Sequence, residues 1–378
     1  MKFNKSKVIL ISFAHFTHDI FSSLLAPILP LLIDKLGISL TQAGLLDVVR
    51  KSPSFFNPFL GILAEKTNAK YFVILTPSIT AISMGLLSLT SSFYIALFIL
   101  FIAGLSGAFF HIPSPTMIKE FSGNESGKGM SYFMVGGESA RTIGPILAAG
   151  VISIWGLEGI WKLTPIGILS SIFLYFKLKD YTPKYQAKKI ETKDIKAALK
   201  KVKKFFTFIA FYIFLNNTPK YTLSLFLPLF LTHKGMSVER ASVYFAIFQG
   251  FGIIGVFYGG RISDKIGRSN ALYITTIGIA IFLSLFLWQS NLIFLIPLGF
   301  FVFSNSPIIL AYIHDIKTNT PTFINSIYMA MNFGINSLTI YFAGVIAEKI
   351  GLYKMFEITI ILTLISLIFV YNLKKLKI

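Results

Sequence analysis

The chain has 378 residues, of which 54% are apolar and only 13% charged, with a formal charge of +19. A soluble globular surface cannot be covered by so few charges, so lipid is the solvent for most of this chain. The cations flank the apolar runs instead of forming one basic face, which excludes a nucleic-acid-binding reading, and the lack of cysteine excludes disulfides and thiolate metal sites.

Runs such as 94–103 and 358–371 are continuously apolar, not alternating, so the spans are helical and not strands of a membrane barrel. A helix needs about 20 apolar residues to cross about 30 Å of hydrocarbon. Twelve stretches meet this need: 8–33, 43–64, 71–90, 93–118, 129–154, 160–178, 205–232, 241–262, 271–289, 291–314, 324–347 and 355–373. The first is long, carries His and Asp, and lacks a small-residue cleavage pattern, so it is expected to remain as a span. The predicted fold is an all-α integral membrane protein of twelve transmembrane helices in two six-helix bundles, 1–178 and 205–378, joined by a basic linker at 179–204.

In the first span His15, His18, Asp19 and Ser22 fall at i, i+3, i+4 and i+7, a polar stripe on one face of an apolar helix. Ionisable groups are costly in hydrocarbon, so those present usually face a bundle interior and carry function. Two readings of the stripe stand: proton coupling through Asp19 with His15 and His18, or an anchor that orients the helix. The second span repeats the pattern with Asp47, Arg50, Lys51 and Ser54, read either as substrate contacts or as Asp47 pairing internally with its neighbours. In span four His111 precedes Pro113 and Pro115, and is either a substrate contact or a histidine bonded to a bent backbone. Span five places Glu138 and Arg141 three residues apart, able to satisfy each other or to join spans one and two in a charge network; Glu138 joins the proton-coupling set and Arg141 the substrate contacts.

Between the halves, 177–204 holds eleven lysines against Asp180, Glu191 and Asp194. Its second part has helical spacing, with Ile195, Leu199, Val202 and Phe206 among lysines, and reads as either an interfacial helix or a solvated loop. In span seven Lys220 lies beside Asn216, Asn217 and Pro219, where a broken helix would place it for substrate contact along with Asn217. With both termini in the cytoplasm, 25 Lys and Arg lie on that side, six outside and four within spans, so that orientation is expected in the cell membrane.

One hairpin is repeated in the two halves. Gly37-Ile38-Ser39-Leu40-Thr41-Gln42-Ala43 precedes span two and Gly235-Met236-Ser237-Val238-Glu239-Arg240-Ala241 precedes span eight. Gly61-Ile62-Leu63-Ala64-Glu65-Lys66 closes the former, and Gly260-Arg261-Ile262-Ser263-Asp264-Lys265-Ile266-Gly267-Arg268 closes the latter. These closures resemble the signature of the major facilitator superfamily: a Gly, an acid four residues on, then cations and Gly. The first copy departs from it at Glu65 and Asn68. The resemblance implies a gating role for Gly61, Glu65, Lys66, Gly260, Asp264, Lys265, Gly267 and Arg268.

A narrower resemblance covers the N-terminal half. His15-Phe16-Thr17-His18-Asp19, Leu29-Pro30-Leu31-Leu32, the Gly37 segment continued through Leu46, Phe110-His111, Ser122-Gly123 and Gly136-Gly137 with Gly144-Pro145 look like the fosmidomycin-resistance type of drug exporter. Glu138 and Arg141 depart from that pattern. Gly144 and Pro145 also resemble the antiporter signature of the superfamily, where small residues admit a close neighbour and proline bends the helix.

The resemblance implies a proton-coupled exporter of small drugs or metabolites. An importer or facilitator of a small anion, clamped by Arg50 and Arg141, is the alternative, and a membrane enzyme on lipids would need clustered acids that the sequence disperses. No phosphate-binding loop is present, so no nucleotide cofactor is expected. His15 and Asp19 offer two ligands on one helix, too few for an expected metal centre. The expected partners are a small-molecule substrate, protons and the bilayer, with no nucleic acid and no second copy, since a two-half bundle encloses its own cavity.

Overall fold

The computed structural model describes residues 3–57, 60, 70–123, 126–182, 192–315 and 321–376. Among these, helices alone form the regular structure, and no strand occurs. Among the described residues, nine helices are long and apolar enough to cross a bilayer. The first runs Lys5–Leu36, bent after Ser22. It is followed by Lys70–Leu89, Phe93–Ser122, Leu157–Leu178, Val238–Ile266, Arg268–Gln289, Leu292–Ile313, Ala330–Ile350 and Leu352–Lys375.

Three predicted spans fall outside that group for local reasons. The second begins as Leu40–Lys51, tightens into a 3₁₀ turn at Ser52–Phe56 led by Pro53, and then leaves the described residues. The fifth, Ser126–Trp155, is diluted by Glu138, Arg141 and a string of glycines. The seventh breaks at Asn217, between Thr192–Asn216 and Thr218–His233. Its first part starts inside the predicted linker: with no Pro or Gly from 192 to 216, the helix begun in the lysine-rich segment has no reason to stop at 204.

The repeated hairpin has one physical basis in both copies. Gly37 and Gly235 take left-handed backbones, with φ of 61° and 85°, that end one helix. Two residues on, Ser39 and Ser237 cap the next. Ser39 Oγ accepts from Gln42 N while Gln42 returns its Oε1 to Ser39 N at 2.9 Å, and Ser237 Oγ accepts from Arg240 N at 3.3 Å.

The chain divides into two compact units, Met1–Ala187 with Leu231–Ala246, and Lys188–Phe230 with Ile247–Ile378. The first has a core of Val8, Ile11, Phe110, Ile118, Phe133 and Leu174; the second centres on Tyr212, Ile213, Leu272, Ile309 and Val370. Large apolar side chains such as Leu75, Phe98, Leu169, Phe176 and Trp288 lie exposed on the outside. In water such a surface would aggregate; in a bilayer it is solvated.

Candidate functional site

The first span builds the site. Asn4 caps its start by accepting from Lys7 N, and the bend after Ser22 lies just beyond Asp19, whose carbonyl accepts from Ser23 N (3.0 Å) and Ser22 Oγ (3.1 Å). Span five packs closely along span one. Glycines allow it: a Cβ on Gly136 would sit 2.4 Å from Ser12 O, on Gly137 2.4 Å from His15 Cε1, and on Gly144 1.9 Å from Ser23 Oγ. This close approach is the structural role of Gly144, and Pro145 lies within the same helix.

Asp19 is 2% exposed and faced by three imidazoles and one guanidinium. His18 Nδ1 donates to Asp19 Oδ1 at 2.9 Å; His15 Nε2 lies 3.3 Å from Oδ2, His111 Nε2 3.4 Å from Oδ1, and Arg141 Nη2 3.4 Å from Oδ2. Arg141 also donates to Glu138 Oε1 at 2.8 Å, so the cation is shared between two acids. Spans one, four and five thus meet in one charge network.

The rings are fixed by stacking. His15 lies on Phe133 (4.0 Å between centroids, 21° between planes) and His18 on Phe110 (4.7 Å, 6°), while His111 stands edge-on to both. His15 Nδ1 is 2.7 Å from the Phe133 carbonyl, which only accepts, so Nδ1 carries the proton there. Phe110 and Phe133 were not among the predicted site residues. An aromatic in an apolar run carries no signal until the facing imidazole is placed.

His111 therefore joins the carboxylate of span one, and its helix ends right after it at Ile112, where Pro113 starts a new one. One donor atom from each of His15, Asp19 and His111 lies within 4.8 Å of the others, a group with the chemistry of a metal ligand set.

In span two, Asp47 is 1% exposed, accepts from Arg50 Nη2 (2.5 Å) and forms an ion pair with Lys51 Nζ (2.6 Å). Of the two readings of this stripe, the geometry is that of internal pairing at i, i+3 and i, i+4. Arg50 is held close to span four, where a Cβ on Gly104 would collide with its carbonyl.

The second unit carries its polar groups differently. Lys220, beyond the break at Asn217, reaches Ser306 Oγ (2.6 Å) and lies over the Phe303 ring at 5.2 Å. Asn217 Nδ2 donates to Tyr221 OH, which donates to Asn332 Oδ1 at 2.6 Å. Asn217 Oδ1 is buried without a hydrogen bond.

Next to this lies a closed neutral network. Asn216 Nδ2 donates to Thr276 Oγ1 (2.8 Å) and Ser366 Oγ (3.0 Å), its Oδ1 accepts from Asn305 Nδ2, and Asn305 Oδ1 accepts from Thr275 (2.6 Å) and Tyr212 (3.4 Å).

Of the gating residues, Gly61, Glu65 and Lys66 lie outside the described residues. In the second copy, Gly260 and Lys265 lie on the helix that ends at Ile266, and Gly267, at φ 87°, turns the chain into the next. Arg268 then pairs with Asp264, donates to Ser263 Oγ (2.6 Å), and reaches Asp315 Oδ2 at 2.9 Å. Asp315, 47 positions further on, was not predicted, because the repeat shows only the local half of the pair.

Residues 11–335 match the family model described as Major Facilitator Superfamily. The fosmidomycin resistance protein of Escherichia coli (strain K12) is 24% identical over 370 residues, covering 96% of this chain and 91% of that protein. The multi-drug resistance efflux pump PmrA of Streptococcus pneumoniae serotype 4 (strain ATCC BAA-334 / TIGR4) is 21% identical, covering 69% of this chain and 68% of that one. Among solved structures, a bacterial homolog to the human lysosomal transporter Spinster, inward-facing and unoccupied, matches with a TM-score of 0.80 at 14% identity, covering 98% of this chain and 97% of that one. The nucleoside transporter NupG matches with a TM-score of 0.76 at 17% identity, covering 98% and 99%.

Proposed function

The chain belongs to the major facilitator superfamily, and on that premise we propose that it is a secondary active transporter working by alternating access, a proton-coupled exporter of small drugs or metabolites. The observation that carries this reading is Asp19, a buried carboxylate about halfway along the first rod, faced by three imidazoles and shared with Arg141. Similarity over nearly the whole chain to a protein named for drug resistance supports export.

The physical step is an exchange of charge partners. A proton arriving on Asp19 removes the anion that attracts His111 and Arg141, leaving Arg141 to Glu138 alone. Span one then loses its charged ties to spans four and five together, and a change in those ties biases one conformation over another. His15 and His18, stacked and hydrogen-bonded, are placed to pass the proton. In this reading Arg141 and His111 contact substrate in the first unit, and Lys220 and Asn217 do so in the second. Arg268, held by Asp264 and Asp315 at the Gly260–Gly267 turn beside Lys265, acts as a gate. The protein sits as a monomer in the cell membrane with both termini in the cytoplasm.

Proton movement in proteoliposomes tests this, on adding a fosmidomycin-like phosphonate and a panel of drugs to wild type and Asp19→Asn. Substrate-driven proton flux that disappears in the variant supports the reading. Robust substrate flux without proton movement, unchanged in the variant, rejects it.

A second reading, import or facilitated passage of a small anion, draws on Arg141. Its side chain is 40% exposed and so still open to a ligand. Concentrative uptake in the same vesicles would favour it.

A further inference from the structure

We propose that His15, Asp19 and His111 form a binding site for a divalent transition-metal ion of the zinc class. Two ligands bonded to a tetrahedral centre at about 2.0–2.1 Å stand about 3.3–3.4 Å apart. Each imidazole stands at about that separation from one of the two carboxylate oxygens, His15 Nε2 3.3 Å from Oδ2 and His111 Nε2 3.4 Å from Oδ1, so the carboxylate lies between the two histidines. The donors come from two helices, with His111 supplying from span four the third ligand that span one lacks.

The outer contacts are those that a metal site needs. His15 gives its Nδ1 proton to the Phe133 carbonyl, which fixes the tautomer and leaves the Nε2 lone pair aimed at the carboxylate. That Nε2 is buried and stands 3.3 Å from Asp19 Oδ2, so a nitrogen donor atom and a carboxylate oxygen converge where both would hold a cation. His18 Nδ1 donates to Asp19 Oδ1 and orients the carboxylate. Two imidazoles and one carboxylate favour zinc, nickel or copper over magnesium or calcium, which prefer all-oxygen sets. The competing cation, Arg141, has Glu138 as an alternative partner at 2.8 Å.

An ion held here ties span one to span four and occupies the ground between His15 and Asp19, so it stalls transport. The site rests on ligand geometry and stands whether or not Asp19 carries a coupling proton.

The test uses full-length protein, purified in detergent and stripped of metal, carrying His233→Ala and His314→Ala to remove the remaining imidazoles. Co²⁺ is titrated by visible absorption and Zn²⁺ by calorimetry. One equivalent should bind, with ligand-field bands of a four- or five-coordinate centre. His111→Gln should weaken binding by about 100-fold or more, and His18→Gln, which perturbs only the orienting contact, by about tenfold. His15→Gln repeats the test on the other helix. Should it fail to fold, as size exclusion would show, His111→Gln decides. Binding that is absent in the parent, or equal in the parent and His111→Gln, overturns the site. Metal binding together with an absent proton flux would sink the coupling reading and leave this one intact.

Discussion

Replacing Gly137 by alanine places a methyl group 2.4 Å from His15 Cε1 and 2.5 Å from Nε2, about 1 Å inside ordinary contact. The ring cannot yield freely. It is stacked on Phe133 and bonded to that residue's carbonyl at 2.7 Å, so moving it aside gives up both contacts or pushes span five off span one. Overpacking of a tight interior costs about 1–3 kcal/mol, and the lost hydrogen bond, worth about 1 kcal/mol, falls within that range, so about 2 kcal/mol is expected. Gly150, in the same helix, has nothing within 4 Å of its added Cβ. There the substitution should be neutral or stabilise by up to about 1 kcal/mol through helix propensity. The two variants are compared by denaturant unfolding in mixed micelles and by substrate-driven flux in proteoliposomes. Equal stability and equal flux for Gly137→Ala and Gly150→Ala would refute the claim that glycine at 137 exists to admit the imidazole.

Asn216→Leu breaks three hydrogen bonds at once and should destabilise the second unit by about 1–3 kcal/mol, read as a lower unfolding midpoint. Asn217→Leu, next to it, loses one 3.4 Å contact and an already unpartnered oxygen, so its midpoint should move less. Asp47→Asn leaves Arg50 and Lys51 without their acid and should cost about 3–5 kcal/mol, seen as poor folded yield, with Lys51→Met added to it restoring part of the loss. Asp315→Asn, half-exposed, should change stability by no more than about 1 kcal/mol. A double-mutant cycle with Arg268→Gln should nonetheless give a transport-rate coupling, and strictly additive effects would remove Arg268 from the gate.

The apolar spans could be read from the sequence because lipid demands length and apolarity of each helix separately. Likewise the stripe of His15, His18 and Asp19 and the pairing of Asp47 with Arg50 and Lys51 follow from helical spacing within one segment. The meeting of Asp19 with Arg141 stood as one of two readings and that with His111 did not follow, since both depend on how three helices pack, and that packing is set by glycines that look like ordinary membrane glycines until the neighbouring helix is in place. The same limit hid Asp315 from Arg268 and Asn305 from Asn216. The linker's second part could be read as a helix or as a solvated loop, and the structure has it helical from Thr192. Its lysines mark a watery environment, but they also favour helix, and nothing between 192 and 216 interrupts the hydrogen-bond ladder.

That uninterrupted rod, Thr192–Asn216, is about 37 Å long at 1.5 Å per residue. One end belongs to the lysine-rich stretch and the other holds the amide that anchors Thr276, Ser366 and Asn305. A stiff rod carries torque along its length. The lysine-rich segment and the deepest polar contacts of the second unit thus share one continuous helix, so a tilt imposed at one end displaces the other.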